Sequence, residues 1–184
     1  MAIILTQNGT AKNKSLHHPF RAYLRTISPM TQHQPDQDPQ NFRIDRNGVW
    51  FHDDRPISRE SLVKLFAERG LKRDSQGRYW LQSPFEKYAV EVEDVPFILV
   101  AYEIKNDALT FTTNLGERVT VSEEHPLELR SYPAAKGRIP YIHVRDGLYA
   151  RVNRTVYYDL LSKYGAELTL GGRTYSLAEE ENDE

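Results

Sequence analysis

A chain of 184 residues with 39% hydrophobic and 27% charged residues has room for one domain or two small ones. Its formal charge of −2 gives no basic excess with which to hold nucleic acid or an anionic membrane, so neither is an expected partner. The absence of Cys excludes disulfides, thiolate nucleophiles and Cys-based metal or iron–sulfur centres, and agrees with a reducing compartment, for which the cytoplasm is the expectation.

The apolar run Ala2-Ile3-Ile4-Leu5 has no basic flank before it and is too short for a signal peptide core or a membrane span. Residues 31–41 combine Gln, Asp and Pro without an apolar residue, so residues 1–41 read as an N-terminal extension ending in a disordered linker. The folded part is expected over 42–178. Its first domain, 42–84, opens with Asn47-Gly48 between Ile44 and Val49-Trp50, which predicts a type I′ hairpin. Ser58 reads as the N-cap of a helix in which Ile57 staples onto Leu62, Leu62, Leu65 and Phe66 share a face, and Gly70 ends the run.

From Phe85 the period changes to two. Tyr88, Val90 and Val92 alternate with polar neighbours. The run Phe97 to Ile104 reads as a long apolar strand, with Asn106-Asp107 as a turn into Leu109 to Thr112. Asn114 to Glu117 turns the chain again into Val119 to Val121, so an antiparallel meander opens the C-terminal β domain, 85–178. The acidic residues of 179–184 repel one another and predict a solvated tail.

An offset of 99 residues places Arg46-Asn47-Gly48-Val49-Trp50 on Arg145-Asp146-Gly147-Leu148-Tyr149, and Arg55 on Arg154, Ile57 on Val156, Leu62 on Leu161 and Lys64 on Lys163. Beyond the helix an offset of 95 matches Gly70 to Gly165, Gly77-Arg78 to Gly172-Arg173 and Trp80 to Tyr175. The four missing residues predict a second helix about one turn of ~3.6 residues shorter, starting from Asn153 or Thr155. The fold class that follows is α+β, with antiparallel sheets, few short helices and two hairpin-helix repeats.

Five segments, Ile44 to Trp50, Val92 to Phe97, Leu109 to Asn114, Pro140 to Arg145 and Val156 to Leu160, resemble in order the bacterial family catalogued as domain of unknown function 1285. The resemblance covers residues 42–164 and begins shortly after Met30, which is therefore the expected translation start. It implies an internally duplicated two-part fold with a superficially pleckstrin-homology-like C-terminal part. It further implies a role in signalling through a nucleotide-like ligand held between the parts, and it carries over no catalytic residue.

The chemistry-bearing clusters have plainer readings beside their functional ones. His52-Asp53-Asp54 offers metal-ligating types, but successive strand residues face opposite sides and no second cluster has ligand spacing, so a polar loop and no metal are expected. Glu123-Glu124-His125 beside a Pro reads as a surface turn, and His143 between Ile142 and Val144 as a strand histidine, so no catalytic residue is assigned. Walker, Rossmann, HExxH and GxSxG patterns are absent. No cofactor is expected.

The arginines are the more informative set. Arg46, Arg55 and Arg78 match Arg145, Arg154 and Arg173, although hairpins and helices do not require guanidinium there. Each could lay its stem on a neighbouring ring and bond a turn carbonyl. If the repeats face each other, Arg46, Arg55, Arg145 and Arg154 could instead converge on an anion, with Trp50 and Tyr149 stacking a base. The expectation is a non-enzymatic ligand-binding or signalling module for a small anionic or nucleotide-like molecule. A protein-interaction module and a hydrolase using His143 or His125 are the alternatives.

Overall fold

Tight turns set the architecture. At Asp45, Asp74 and Thr113 a side-chain oxygen accepts the backbone N–H groups two and four residues further on, at 2.8 and 2.9 Å for Asp45. The glycine three residues on, Gly48, Gly77 or Gly116, donates its N–H back to the first residue's carbonyl and takes a positive φ. That is the three-residue loop of a type I turn closed by a left-handed glycine. Asn47-Gly48 therefore departs from the expected type I′ turn: Gly48 is at φ 77° while Asn47 stays on the usual side, because the Asp45 side chain organises the loop. Turns with both central residues at positive φ occur instead at Asp53-Asp54, Asn106-Asp107 and Asp146-Gly147.

The computed structural model describes residues 41–133 and 137–179, which belong to one compact unit, Asp38–Glu184. The expected extension and linker over 1–40, the start at Met30 and the tail beyond Glu179 lie outside the described residues. The first sheet holds β1 (Phe42–Ile44), β2 (Trp50–His52), β3 (Arg55–Pro56), β4 (Leu71–Arg73), β5 (Tyr79–Gln82) and β6 (Lys87–Val92) in the order β3-β2-β1-β6-β5-β4. All neighbours are antiparallel except β1 and β6, which run parallel with Phe42 opposite Val90. β6, which the alternating pattern places at the start of the C-terminal part, is an inner strand of this first sheet, between β1 and β5.

Between β3 and β4 the helix α1 (Glu60–Leu65) continues as a π-helical turn, Phe66–Gly70. Its Leu62, Val63, Phe66 and Ala67 are buried, and the Phe66 ring meets Phe42 edge-on at 6.0 Å and Trp50 at 6.1 Å. The residue before α1 is Arg59, with no side-chain cap; Ser58 does not cap the helix, which starts one residue later than the sequence predicts.

The second sheet holds β7 (Phe97–Lys105), β8 (Ala108–Thr113), β9 (Arg118–Thr120), β10 (Leu127–Ser131), β11 (Arg138–Arg145) and β12 (Leu148–Val152) in the order β10-β11-β12-β7-β8-β9. β12 runs parallel to β7, and the other neighbours are antiparallel. The expected meander is β7-β8-β9, with Leu109, Phe111 and Thr113 alternating into the core. On β11 four successive residues, Ile139 to Ile142, are buried, so both faces of that strand are covered. The helix α2 (Arg154–Tyr164) and the hairpin β13 (Glu167–Leu170) and β14 (Arg173–Ser176) follow.

The order hairpin, helix, hairpin thus occurs twice, and with two six-stranded sheets and few helices it makes a two-repeat α+β fold. The placement of the gap between the copies differs from the sequence alignment. α1 with its π turn and α2 are both 11 residues long and are offset by 94 residues at each end, Glu60 to Arg154 and Gly70 to Tyr164. The second helix is not shorter. The extra residues of the first copy lie before its helix, where the Asp53-Asp54 turn and β3 have no counterpart after β12. Leu62 then corresponds to Val156 and Phe66 to Leu160, all four buried, whereas Leu161 is only half-buried. The two copies also differ in sheet contacts, since β1 of the first hairpin pairs with β6 but β12, the later strand of the second, pairs with β7.

Candidate functional site

Each hairpin tip docks on the other half of the molecule. The tip between β1 and β2 meets the second sheet: the Asn114 side chain donates to the Gly48 carbonyl at 3.3 Å, and Arg151 Nη2 donates to the Arg46 carbonyl at 2.6 Å. A Cβ on Gly48 would lie 2.7 Å from Asn114 Nδ2, so this contact needs glycine for space as well as for φ. The tip between β11 and β12 meets the first half: Arg145 Nη2 donates to the Ala67 carbonyl at 2.9 Å, and Asp146 pairs with Lys72 at 3.9 Å.

A polar layer joins these contacts. Arg151, only 6% exposed, donates from Nε to Asp94 at 2.7 Å on the short connection between β6 and β7. The Tyr141 hydroxyl donates to the same carboxylate at 3.0 Å, and Tyr132 lies under the Arg151 guanidinium at 4.2 Å. Burial, with the neighbouring Asp94 charge, pushes the Tyr141 hydroxyl far up from its ordinary pKa. Arg130 on β10 pairs with Glu128 and lies 3.7 Å over the Tyr149 ring. Arg145 pairs with Glu117 at 3.3 Å and sits 5.4 Å over Phe97.

Arg73, the last residue of β4, differs from these. Its guanidinium lies 5.7 Å over the Tyr79 ring and passes between two turn glycines, within 3.1 Å of a Cβ built on Gly77 and 3.8 Å of one built on Gly147. Burial pushes the Tyr79 hydroxyl up, while the Arg73 and Arg130 charges pull it down and the Asp94 charge raises it. Among the described residues Arg130, Arg145 and Arg151 each pair with a carboxylate and Arg73 pairs with none.

The residues expected from sequence distribute unevenly. Arg145 reaches the junction with its guanidinium, whereas Arg46 reaches it with its backbone carbonyl alone; the Arg46 side chain pairs with Glu93, whose carboxyl is held low first by the Arg46 backbone N–H and then by the Arg46 and Arg43 side chains. Tyr149 is there too, with one face under Arg130. Trp50 is 1% exposed in the core of the first sheet, with its indole N–H unpartnered among the described residues. Arg55 is exposed on the edge strand β3 opposite His52, and Arg154 is exposed at the start of α2 over the Tyr158 ring at 5.4 Å. Their sequence match does not survive the structural alignment, in which Arg154 corresponds to Glu60. Sequence reasoning missed Arg73, Tyr79, Arg130 and Arg151, because none of them repeats and only the packing of one half on the other brings them together.

His125 and His143 bond the backbone. His143 Nδ1 donates to the Glu124 carbonyl at 2.9 Å and its Nε2 accepts the Gly147 N–H at 3.2 Å, which fixes the neutral tautomer with the proton on Nδ1. His125 Nδ1 donates to the His143 carbonyl at 3.0 Å. His52 is buried against Phe42 with its rings' centroids 4.7 Å apart, and no group of His, Asp and Glu with metal-holding geometry occurs among the described residues. No helix among them is long and apolar enough to cross a membrane.

The N-terminal domain model of DUF1285, a domain of unknown function, matches residues 28–95, and the C-terminal domain model of the same family matches 96–177. The chain belongs to the DUF1285 family. A crystal structure of a DUF1285 family protein from Silicibacter pomeroyi DSS-3 is 30% identical, with a TM-score of 0.68 over 88% of this chain and 95% of that one. A second DUF1285 family protein, from Shewanella baltica OS155, is 24% identical, with a TM-score of 0.53 over 68% of this chain and 93% of that one, and shares the fold. No curated protein matches the chain. The boundary between the two family models, at residues 95 and 96, falls on the connection that carries Asp94, between the last strand of the first sheet and the first strand of the second.

Proposed function

We propose that this DUF1285 protein is a non-enzymatic ligand-binding module that takes a small anionic, nucleotide-like molecule where its two sheets meet, and that its role is signalling. The observation that carries this reading is the composition of the junction: four guanidinium groups, Arg73, Arg130, Arg145 and Arg151, stand among aromatic rings, and among the described residues carboxylates pair with only three of them. Hairpins and helices have no need of such a surplus, and an anion neutralises it with charge-assisted hydrogen bonds. The exposed large apolar side chains, Val49, Phe85, Val100, Tyr158 and Tyr164, are spread over two turns, β7 and α2, which favours ligand binding over a protein-interaction face. The hydrolase alternative gains nothing from His143, whose two ring nitrogens are both bonded to the backbone.

The test is a thermal-shift screen of nucleotides and organic anions at low ionic strength. A ligand at about a hundred times its Kd should raise the melting temperature by about 5–10 °C in a protein of this size. A screen in which cations or neutral compounds stabilise the protein and anions do not would sink the proposal.

A further inference from the structure

We infer that the junction recognises its ligand through a phosphate monoester gripped by Arg73, Tyr79 and Arg130, with no ring stacked on a base; this rests on the anion-binding reading above and narrows it. The two aromatic side chains expected from sequence to stack a base are already committed. Trp50 is sealed in the core of the first sheet beside Phe66, and Tyr149 carries the Arg130 guanidinium on its face at 3.7 Å, closer than a nucleobase could stack without displacing that charge. What the junction does offer is donors. Arg73 presents a planar fork with no carboxylate opposite it among the described residues, and it lies beside the Tyr79 ring. Gly77 and Gly147, one from each half, lie against its guanidinium, at 3.1 and 3.8 Å from the Cβ that each would carry. Arg130 approaches from the second sheet, lying 3.7 Å over Tyr149, which follows Gly147 by two residues in the same hairpin. A tetrahedral dianion has three acceptor oxygens to meet donors arriving from β4, β5 and β10, which a single carboxylate cannot match.

The full chain is titrated calorimetrically at low salt with inorganic phosphate, ribose 5-phosphate, adenosine 5′-monophosphate and adenosine. Phosphate and ribose 5-phosphate should bind, adenosine should not, and the nucleotide should bind within about threefold of ribose 5-phosphate. Arg73→Gln should weaken ribose 5-phosphate by about tenfold or more, as loss of a charge-assisted hydrogen bond implies, with the circular dichroism and melting temperature of the free protein unchanged. Tyr79→Phe should weaken it by less. Binding of adenosine alone, or of the nucleotide more than about tenfold above ribose 5-phosphate, would overturn the phosphate-led reading and leave the anion-binding module standing. Undiminished binding to Arg73→Gln would do the same. Failure of every phosphate and of every anion in the screen would overturn both.

Discussion

Single polar residues at turn positions decide where this chain reverses. Asp74 shows it most fully: one carboxylate oxygen takes the N–H groups of Gln76 and Arg78 at 2.9 Å each, and the other takes the Trp80 indole N–H and Arg78 Nε at 2.9 Å each. The indole bond first, then those of Arg78 and Gln76, hold the Asp74 carboxyl far below the usual carboxylate range. A folded-state pKa below the unfolded value, ~3.9, means the stabilisation is fully present above that pH and is lost as pH falls below it. Acid unfolding followed by Trp fluorescence should therefore show a component between about pH 4 and pH 2 that Asp74→Asn abolishes; an unchanged acid limb in the variant would refute this assignment. Gly48 gives a second prediction at this scale. Ala there meets both a φ of 77° and the Asn114 side chain at 2.7 Å, so Gly48→Ala should cost more than about 1 kcal/mol in urea unfolding, against a gain of ~0.4–1 kcal/mol where the backbone tolerates Ala. The turn at Asn47-Gly48 was legible in the sequence as a turn, while its type was not, because the deciding atom is the Asp45 carboxylate outside the dipeptide.

Helix placement in the two copies follows from what precedes each helix. In the second copy β12 ends at Val152 and Asn153 caps at once, its Oδ1 accepting the Val156 N–H at 2.7 Å, as one of the two starts expected from sequence requires. In the first copy the chain after β2 makes another turn and β3 before the helix begins at Glu60. A gapless match at 99 residues cannot register that insertion, which is why it paired Leu62 with Leu161 and Arg55 with Arg154. The structural offset pairs buried residues with buried residues and predicts different costs: Leu160→Ala, at 0% exposure, should lose about 2–5 kcal/mol, and Leu161→Ala distinctly less. Equal losses at the two positions in chemical denaturation would restore the gapless alignment. Asn153→Ala should cost ~0.5–2 kcal/mol through the lost cap, with Asn153→Asp recovering most of it. The strands fared better than the helix boundaries, since Leu109, Phe111 and Thr113 follow a period of two that needs no knowledge of the rest of the chain. The candidate site was legible only where its residues repeat, at Arg46, Arg145 and Tyr149; Arg73, Tyr79, Arg130 and Arg151 come from four different strands and carry no shared spacing.

The two sheets are joined by a short connection and by reciprocal hairpin docking, and whether they unfold together depends on the polar layer between them. Arg151 is the central member: its guanidinium binds Asp94 on the connection, the Arg46 carbonyl at one hairpin tip and the Val152 carbonyl beside it. With side-chain exposures of 8% and 18%, Arg151 and Asp94 form a largely buried pair, and removing one partner leaves the other charge without compensation. Asp94→Ala should therefore cost about 3–5 kcal/mol, whereas Tyr141→Phe, which removes one hydrogen bond to the same carboxylate, should cost ~0.5–1.5 kcal/mol. Both tryptophans, Trp50 and Trp80, lie in the first sheet, so their fluorescence reports that half while far-ultraviolet circular dichroism reports both. If the layer makes one cooperative unit, fluorescence and dichroism midpoints should coincide in the native chain and move down together in Asp94→Ala, because a two-state protein shows one transition to every probe. A variant whose dichroism midpoint falls while its fluorescence midpoint stays would show that the second sheet unfolds alone and that Asp94 stabilises only that sheet.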